Sequence, residues 1–117
     1  MYYINMPTLD AHISLNALAR FGHALSDTTR IQILTMLVEK PHYPADMADE
    51  LNVTRQSISN HLACLRGCGL VSIEYEGRRS RYQLSDERVK HAIKDLRNVV
   101  LHTDPELCDD VRMKENY

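Results

Sequence analysis

The stretch Thr54-Arg-Gln-Ser-Ile-Ser-Asn-His-Leu-Ala-Cys-Leu-Arg-Gly-Cys-Gly69 decides how the chain folds. Its apolar residues Ile58, Leu62 and Leu65 fall at i, i+4 and i+7, the spacing that lines one face of an α-helix, and Thr54 stands where an N-cap hydroxyl belongs. Gly67 and Gly69 mark the end, because glycine takes the left-handed backbone of a helix C-terminus at little cost. Upstream, Pro44 followed by Ala45, Met47, Ala48 and Leu51 reads as a short helix and Asn52-Val53 as a tight turn. The unit is helix, turn, helix.

Beyond Gly69 the period changes. Val71, Ile73 and Tyr75 alternate with Ser72 and Glu74, Glu76-Gly77-Arg78-Arg79 turns, and Ser80, Tyr82 and Leu84 alternate again, predicting a β-hairpin with a basic tip. Ser85 then caps a last long helix with Val89, Ala92, Ile93, Leu96, Val99 and Val100 on one face, which Asp104-Pro105 ends. On the other side of the core stretch, Asp10 caps a first helix carrying Ile13, Ala17, Leu18, Phe21, Ala24 and Leu25. Asp27 caps a second with Ile31, Leu34, Leu37 and Val38, stopped by Pro41. The predicted fold is mainly α with a small β-hairpin, a winged helix-turn-helix. Residues 1–103 form the DNA-binding and dimerisation domain, and 104–117 an acidic tail.

In this arrangement the second helix of the pair enters the major groove. Gln56, Ser57, Asn60 and His61 point away from the apolar stripe and offer short donors and acceptors for base edges and phosphates, with Arg55 beside them. Arg78, Arg79 and Arg81 on the hairpin would reach phosphate or the minor groove. A polar helix face is by itself as well explained as solvated surface. The order of turn, polar helix, glycine-rich end and arginine-tipped hairpin is far more specific.

The composition agrees. At 117 residues, 44% hydrophobic and 26% charged, the chain is one soluble globular domain. Its net charge of −2 argues against a generic nucleic-acid glue, yet residues 52–82 hold five arginines against two glutamates. Such a modest basic patch needs a two-fold homodimer reading operator half-sites about 34–36 Å apart. The first and last helices, with more apolar surface than a small domain easily hides, are the expected interface. No apolar run approaches the ~20 residues of a membrane span, so no membrane partner and a cytoplasmic location are expected.

Three cysteines cannot form a complete disulfide framework within one chain. Cys64 and Cys68 are one helical turn apart with their sulfurs on one side, and they follow Ser57 and His61 along the same face. Three readings stand: small inert hydrophobes, a redox switch with Arg66 as the acidifying neighbour, and a soft-metal site with Cys108 of the tail as third sulfur. Three sulfurs leave tetrahedral zinc a ligand short, so Cd(II), Pb(II) or As(III) suits them better than Zn(II). An enzyme using a cysteine nucleophile with His61 as base lacks an oxyanion device and an orienting acid, and is not expected.

Ala24-Leu-Ser-Asp-Thr-Thr-Arg30-Ile-Gln-Ile-Leu, the helix-turn-helix and the hairpin together resemble the ArsR/SmtB family of metal-responsive repressors across nearly the whole chain. His61-Leu-Ala-Cys-Leu-Arg-Gly-Cys-Gly-Leu70, Tyr75-Glu-Gly-Arg, Val99-Val-Leu and a tail cysteine are similar to its cadmium- and lead-sensing branch. The resemblance implies a dimeric repressor whose thiolates Cys64 and Cys68 join Cys108 of the other protomer around a metal, which releases operator DNA. The cysteine pair that other members carry before the turn is missing from Tyr43 to Leu51. The zinc-sensing branch uses Asp-x-His-x10-His-x2-Glu/His on its last helix. His91 and His102 match the inner spacing, about 20° apart on a continuous helix, but Val89 and Pro105 occupy the outer positions. A second, zinc-type site would rest on those two histidines alone. Thiol oxidation in place of metal is the main rival trigger.

Overall fold

The computed structural model describes residues 8–99, 101–104 and 106–107, with side chains from Leu15 onward. Among the described residues, five helices and one antiparallel hairpin follow in order: α1 (Thr8–Ala24), α2 (Thr28–Glu39), α3 (Pro44–Leu51), α4 (Arg55–Gly67), β1 (Val71–Glu76), β2 (Arg79–Leu84) and α5 (Glu87–Arg97). Among the described residues no helix is long and apolar enough to cross a membrane.

The core forms where the apolar stripes of α2, α3 and α4 meet. Ile33, Leu34, Met47, Ile58, Leu62 and Leu65 are its fully buried large side chains, and Ile93 of α5 closes it from the other side. Local chemistry sets each boundary. The Asp27 carboxylate accepts from the Arg30 backbone N–H at 3.1 Å and starts α2. Pro44 opens α3, and Asn52 ends it in the left-handed region (φ 56°, ψ 47°), where asparagine is tolerated better than most residues. Thr54 Oγ1 then accepts from Ser57 N–H at 3.0 Å to start α4. The end of α4 is a Schellman motif: Leu70 N–H reaches Leu65 O and Gly69 N–H reaches Arg66 O, each at 3.0 Å. Gly69 supplies the positive φ of 81° that this closure requires.

The hairpin pairs Val71 with Leu84 through Glu76 with Arg79, leaving Gly77-Arg78 as a two-residue loop. Only Gly77 has positive φ there (60°), the position that a type II′ turn gives to glycine. Backbone hydrogen bonds between His42 and Tyr82, at 3.0 and 2.8 Å, pin β2 to the α2–α3 connection.

Three expectations are corrected. The first helix starts at Thr8, so Asp10 lies inside it. The last helix is capped by Asp86, which accepts from Arg88 and Val89 N–H. Ser85 is engaged elsewhere, its hydroxyl donating to Gly69 O at 2.8 Å. That helix also ends at Arg97, with Asn98 as its C-cap, so Val99 is not helical. His102 lies on non-helical chain beyond it, and the continuous helical face that would have aligned His91 with His102 is absent.

Within the described residues α1 meets the rest of the protomer mainly at its C-terminal end, through Phe21 and Ala24, with Leu25 just beyond it. Leu15 and Leu18 are 65% and 67% exposed, and Leu96 of α5 is 48% exposed, leaving apolar surface on both helices expected at the interface.

Candidate nucleic-acid interface and thiol pair

Capping by Thr54 and burial of Ile58, Leu62 and Leu65 leave the other side of α4 free. Arg55, Gln56 and Asn60 are exposed on it, and the Gln56 amide donates to Asn60 Oδ1 at 3.0 Å. Ser57 is half-buried at the capped end. His61 turns the other way: it is half-buried, with Nδ1 3.5 Å from Arg30 Nη1 and Nε2 3.9 Å from Asp27 Oδ1. Helical spacing alone had grouped it with the base-reading side chains.

The three hairpin arginines have different surroundings. Arg78 is exposed in the loop. Arg79 stacks its guanidinium on the Tyr43 ring, 3.4 Å from the centroid. Arg81 pairs with Glu74 at 3.0 Å and has Glu76 at 4.0 Å, while its Nε is shut off from solvent with no hydrogen-bond partner. The Tyr43 hydroxyl donates to Glu76. The hydrogen bond to Glu74 and both carboxylates raise the Arg81 pKa, and the hydrogen bond to Glu76 raises that of Tyr43. Arg79 thus serves to fasten the wing to the start of α3, and Arg81 to tie β2 to β1 within it.

Cys64 lies in the last turn of α4 and Cys68 is its C-cap residue. Both thiols are free and half-buried, and they stand one helical turn apart at the end of α4. Cys68 also packs against the edge of the core and lines a cleft of about 290 Å³ with Arg20, Phe21 and Arg88. Burial pushes the Cys68 thiol up, and the neighbouring Cys64 adds to this. The opposing cations are Arg30 and Arg20, from α2 and α1, and not the sequence neighbour Arg66. Among the described residues no third His, Cys, Asp or Glu joins the pair in a metal-holding group. Cys108 lies outside the described residues.

A capped recognition helix after a left-handed turn, followed by a wing fastened to the helix before it, defines a winged-helix transcriptional regulator and not an enzyme. Residues 27–72 match the model of the bacterial regulatory protein, arsR family. The chain is 51% identical over 89 residues to the HTH-type transcriptional regulator CmtR of Mycobacterium tuberculosis, across 76% of this chain and 75% of that protein. It belongs to the ArsR family. Among solved structures, the NMR structure of the cadmium metal-sensor CMTR from Mycobacterium tuberculosis is similar with a TM-score of 0.62 and 50% identity, over 74% of this chain and 90% of that one. The homodimeric winged helix-turn-helix DNA-binding domain Mb0332 of Mycobacterium bovis gives a TM-score of 0.72 at 27% identity, over 79% and 84%.

Proposed function

We propose that this chain is a metal-sensing repressor that binds operator DNA as a homodimer and lets go when a thiophilic ion of the cadmium and lead class is held by Cys64, Cys68 and Cys108. The observation that carries the reading is the placement of Cys64 and Cys68, both free and half-buried, one turn apart at the end of the recognition helix. Two half-buried sulfurs one helical turn apart are a soft donor pair that needs one more ligand. Cys108 supplies a third sulfur of the same kind. The likeness to a protein described as a cadmium metal-sensor supports the same class of ion, with As(III) and Zn(II) as weaker candidates. The exposed leucines of α1 and α5 and the homodimeric neighbour support the dimer, and a cytoplasmic location fits a repressor acting on DNA.

The residues then divide the work. Arg55, Gln56, Ser57, Asn60 and Arg78 face the operator, while the Tyr43–Arg79 contact holds the wing against the start of α3 and the Glu74–Arg81 pair ties its two strands together. Cys64 and Cys68 at the end of α4, with Cys108, would hold the ion through their sulfurs. Each thiol loses its proton on ligation, so affinity falls as pH falls. The test is an operator titration of the apo protein with cadmium, read by fluorescence anisotropy, alongside ultraviolet thiolate-to-metal absorption. Release of DNA in step with that absorption is expected; unchanged operator binding at saturating cadmium and lead overturns the reading.

The one-turn spacing of the two free thiols supports one second reading, in which the pair is oxidised and no metal takes part. Release by diamide in a chelated sample, with none by cadmium, would establish it.

A further inference from the structure

Arg30 touches three elements with one planar group. Its Nε donates to Ala24 O at 3.0 Å and its Nη2 to His23 O at 3.0 Å, satisfying the last carbonyls of α1. Nη2 also reaches Ser26 Oγ at 3.2 Å. Nη1 faces His61 Nδ1 of α4 at 3.5 Å. A guanidinium only donates, so this contact requires the lone pair of His61 on Nδ1 and its proton on Nε2, directed towards Asp27 Oδ1. Asp27 in turn caps α2 through the Arg30 backbone N–H.

His61 stands one turn before Cys64 on the same helix. α1 is 17 residues long, about 25 Å at 1.5 Å per residue, and within the described residues it meets its own protomer mainly at the end Arg30 holds. A small tilt at that root therefore displaces its outer part, where Leu15 and Leu18 are exposed, by a much larger amount.

We propose that Arg30 is the positioning residue that couples the recognition helix to α1, so that a change at the Cys64–Cys68 end of α4 reaches the face on which two copies meet. The inference rests on the sensing reading above and names the part that would carry its signal. The rigid fork is what suits arginine to the task, since it addresses the α1 carbonyls and His61 at fixed angles, whereas a lysine at this position has a single ammonium for all of them.

The experiment measures operator Kd with and without saturating cadmium for the full-length protein and for Arg30→Lys, Arg30→Met, His61→Ala and His61→Asn, with the thiolate-to-metal absorption recorded for each. Wild type should weaken by about 5- to 150-fold, the usual range of such coupling. Arg30→Met and His61→Ala should keep the absorption while the ratio of the two Kd values falls towards one. Arg30→Lys should lose most of the ratio despite its charge. His61→Asn, whose Oδ1 can accept where Nδ1 did, should restore it. Variants that lose thermal stability yet keep the wild-type ratio assign Arg30 a purely structural role and overturn the inference alone. So does a His61→Asn protein as uncoupled as His61→Ala, a pair that decides the matter even if Arg30→Met does not fold. A wild type indifferent to cadmium overturns the sensing reading together with the inference.

Discussion

The Tyr43 ring lies under the Arg79 guanidinium, 3.4 Å from centroid to the central carbon, while its hydroxyl donates to Glu76 on the facing strand. One side chain at the start of α3 therefore holds both strands of the wing, and it does so by occupying a cation that would otherwise be available to phosphate.

The wing should accordingly contribute one phosphate contact and not three. Arg78→Ala is expected to lower the slope of log K against log salt for operator binding by about 1.8, or about 0.9 for each protomer of the dimer. Arg79→Ala and Arg81→Ala should change that slope much less, lowering affinity mainly through a looser wing. Anisotropy titrations at four salt concentrations separate the cases, and equal slope losses for all three arginines would refute this division.

Asp27 gives the fold an acid limit. Burial opposes its charged form, but the Arg30 backbone N–H, the His61 and Arg30 charges and the Thr29 N–H outweigh that and hold its carboxyl below the ordinary aspartate value. A carboxyl with a depressed folded pKa stabilises above the unfolded value near 3.9, and that stability is lost as pH falls through the lower folded value. The urea midpoint should drop below about pH 4, with a shallower drop in Asp27→Asn; parallel curves for the two proteins would contradict the assignment.

Thr54 starts the recognition helix, its hydroxyl receiving the Ser57 N–H. Thr54→Ala should cost about 1 kcal/mol in urea unfolding and weaken operator binding through fraying of the turn that carries Gln56 and Ser57. Thr54→Ser should recover most of both. A stability loss without any change in binding would separate the cap from the reading surface.

The thiol pair predicts a clean split between binding and sensing. Cys64→Ser and Cys68→Ser should each remove most of the thiolate-to-metal absorption and leave a protein that stays on operator DNA in cadmium. A single variant that still releases DNA would show that the other sulfurs suffice.

Leu18 is two-thirds exposed on α1. Leu18→Glu should shift sedimentation towards monomer and reduce operator affinity, while leaving the far-ultraviolet circular dichroism of the protomer nearly intact. A dimer unaffected by the charge would move the interface elsewhere.

Legibility in the sequence followed the range of the interactions involved. Thr54, Pro44 and Gly77 act on their immediate neighbours, and each stands where its residue type foretold. Ser85 and Asp86 are both good caps by type, and the choice between them was made by a carbonyl sixteen residues away, Gly69 O. The apolar run through Val99 continued the amphipathic pattern, but Asn98 had already closed α5. Arg79 and His61 share the composition of a DNA-facing surface, and only the tertiary placement of Tyr43, Arg30 and Asp27 shows where they are held. The same is true of Cys68, whose opposing charges come from α1 and α2.

The Schellman closure at Gly69 has a consequence for how such a receptor could diversify. Two thiols rooted on one terminal turn have their Cα positions set by backbone rise, and only rotation about χ1 adjusts the distance between the sulfurs. Under the proposed reading, a third sulfur would come from outside the helix, so substitutions in the segment that carries it would alter ion selectivity while the surface proposed to meet the promoter stays untouched.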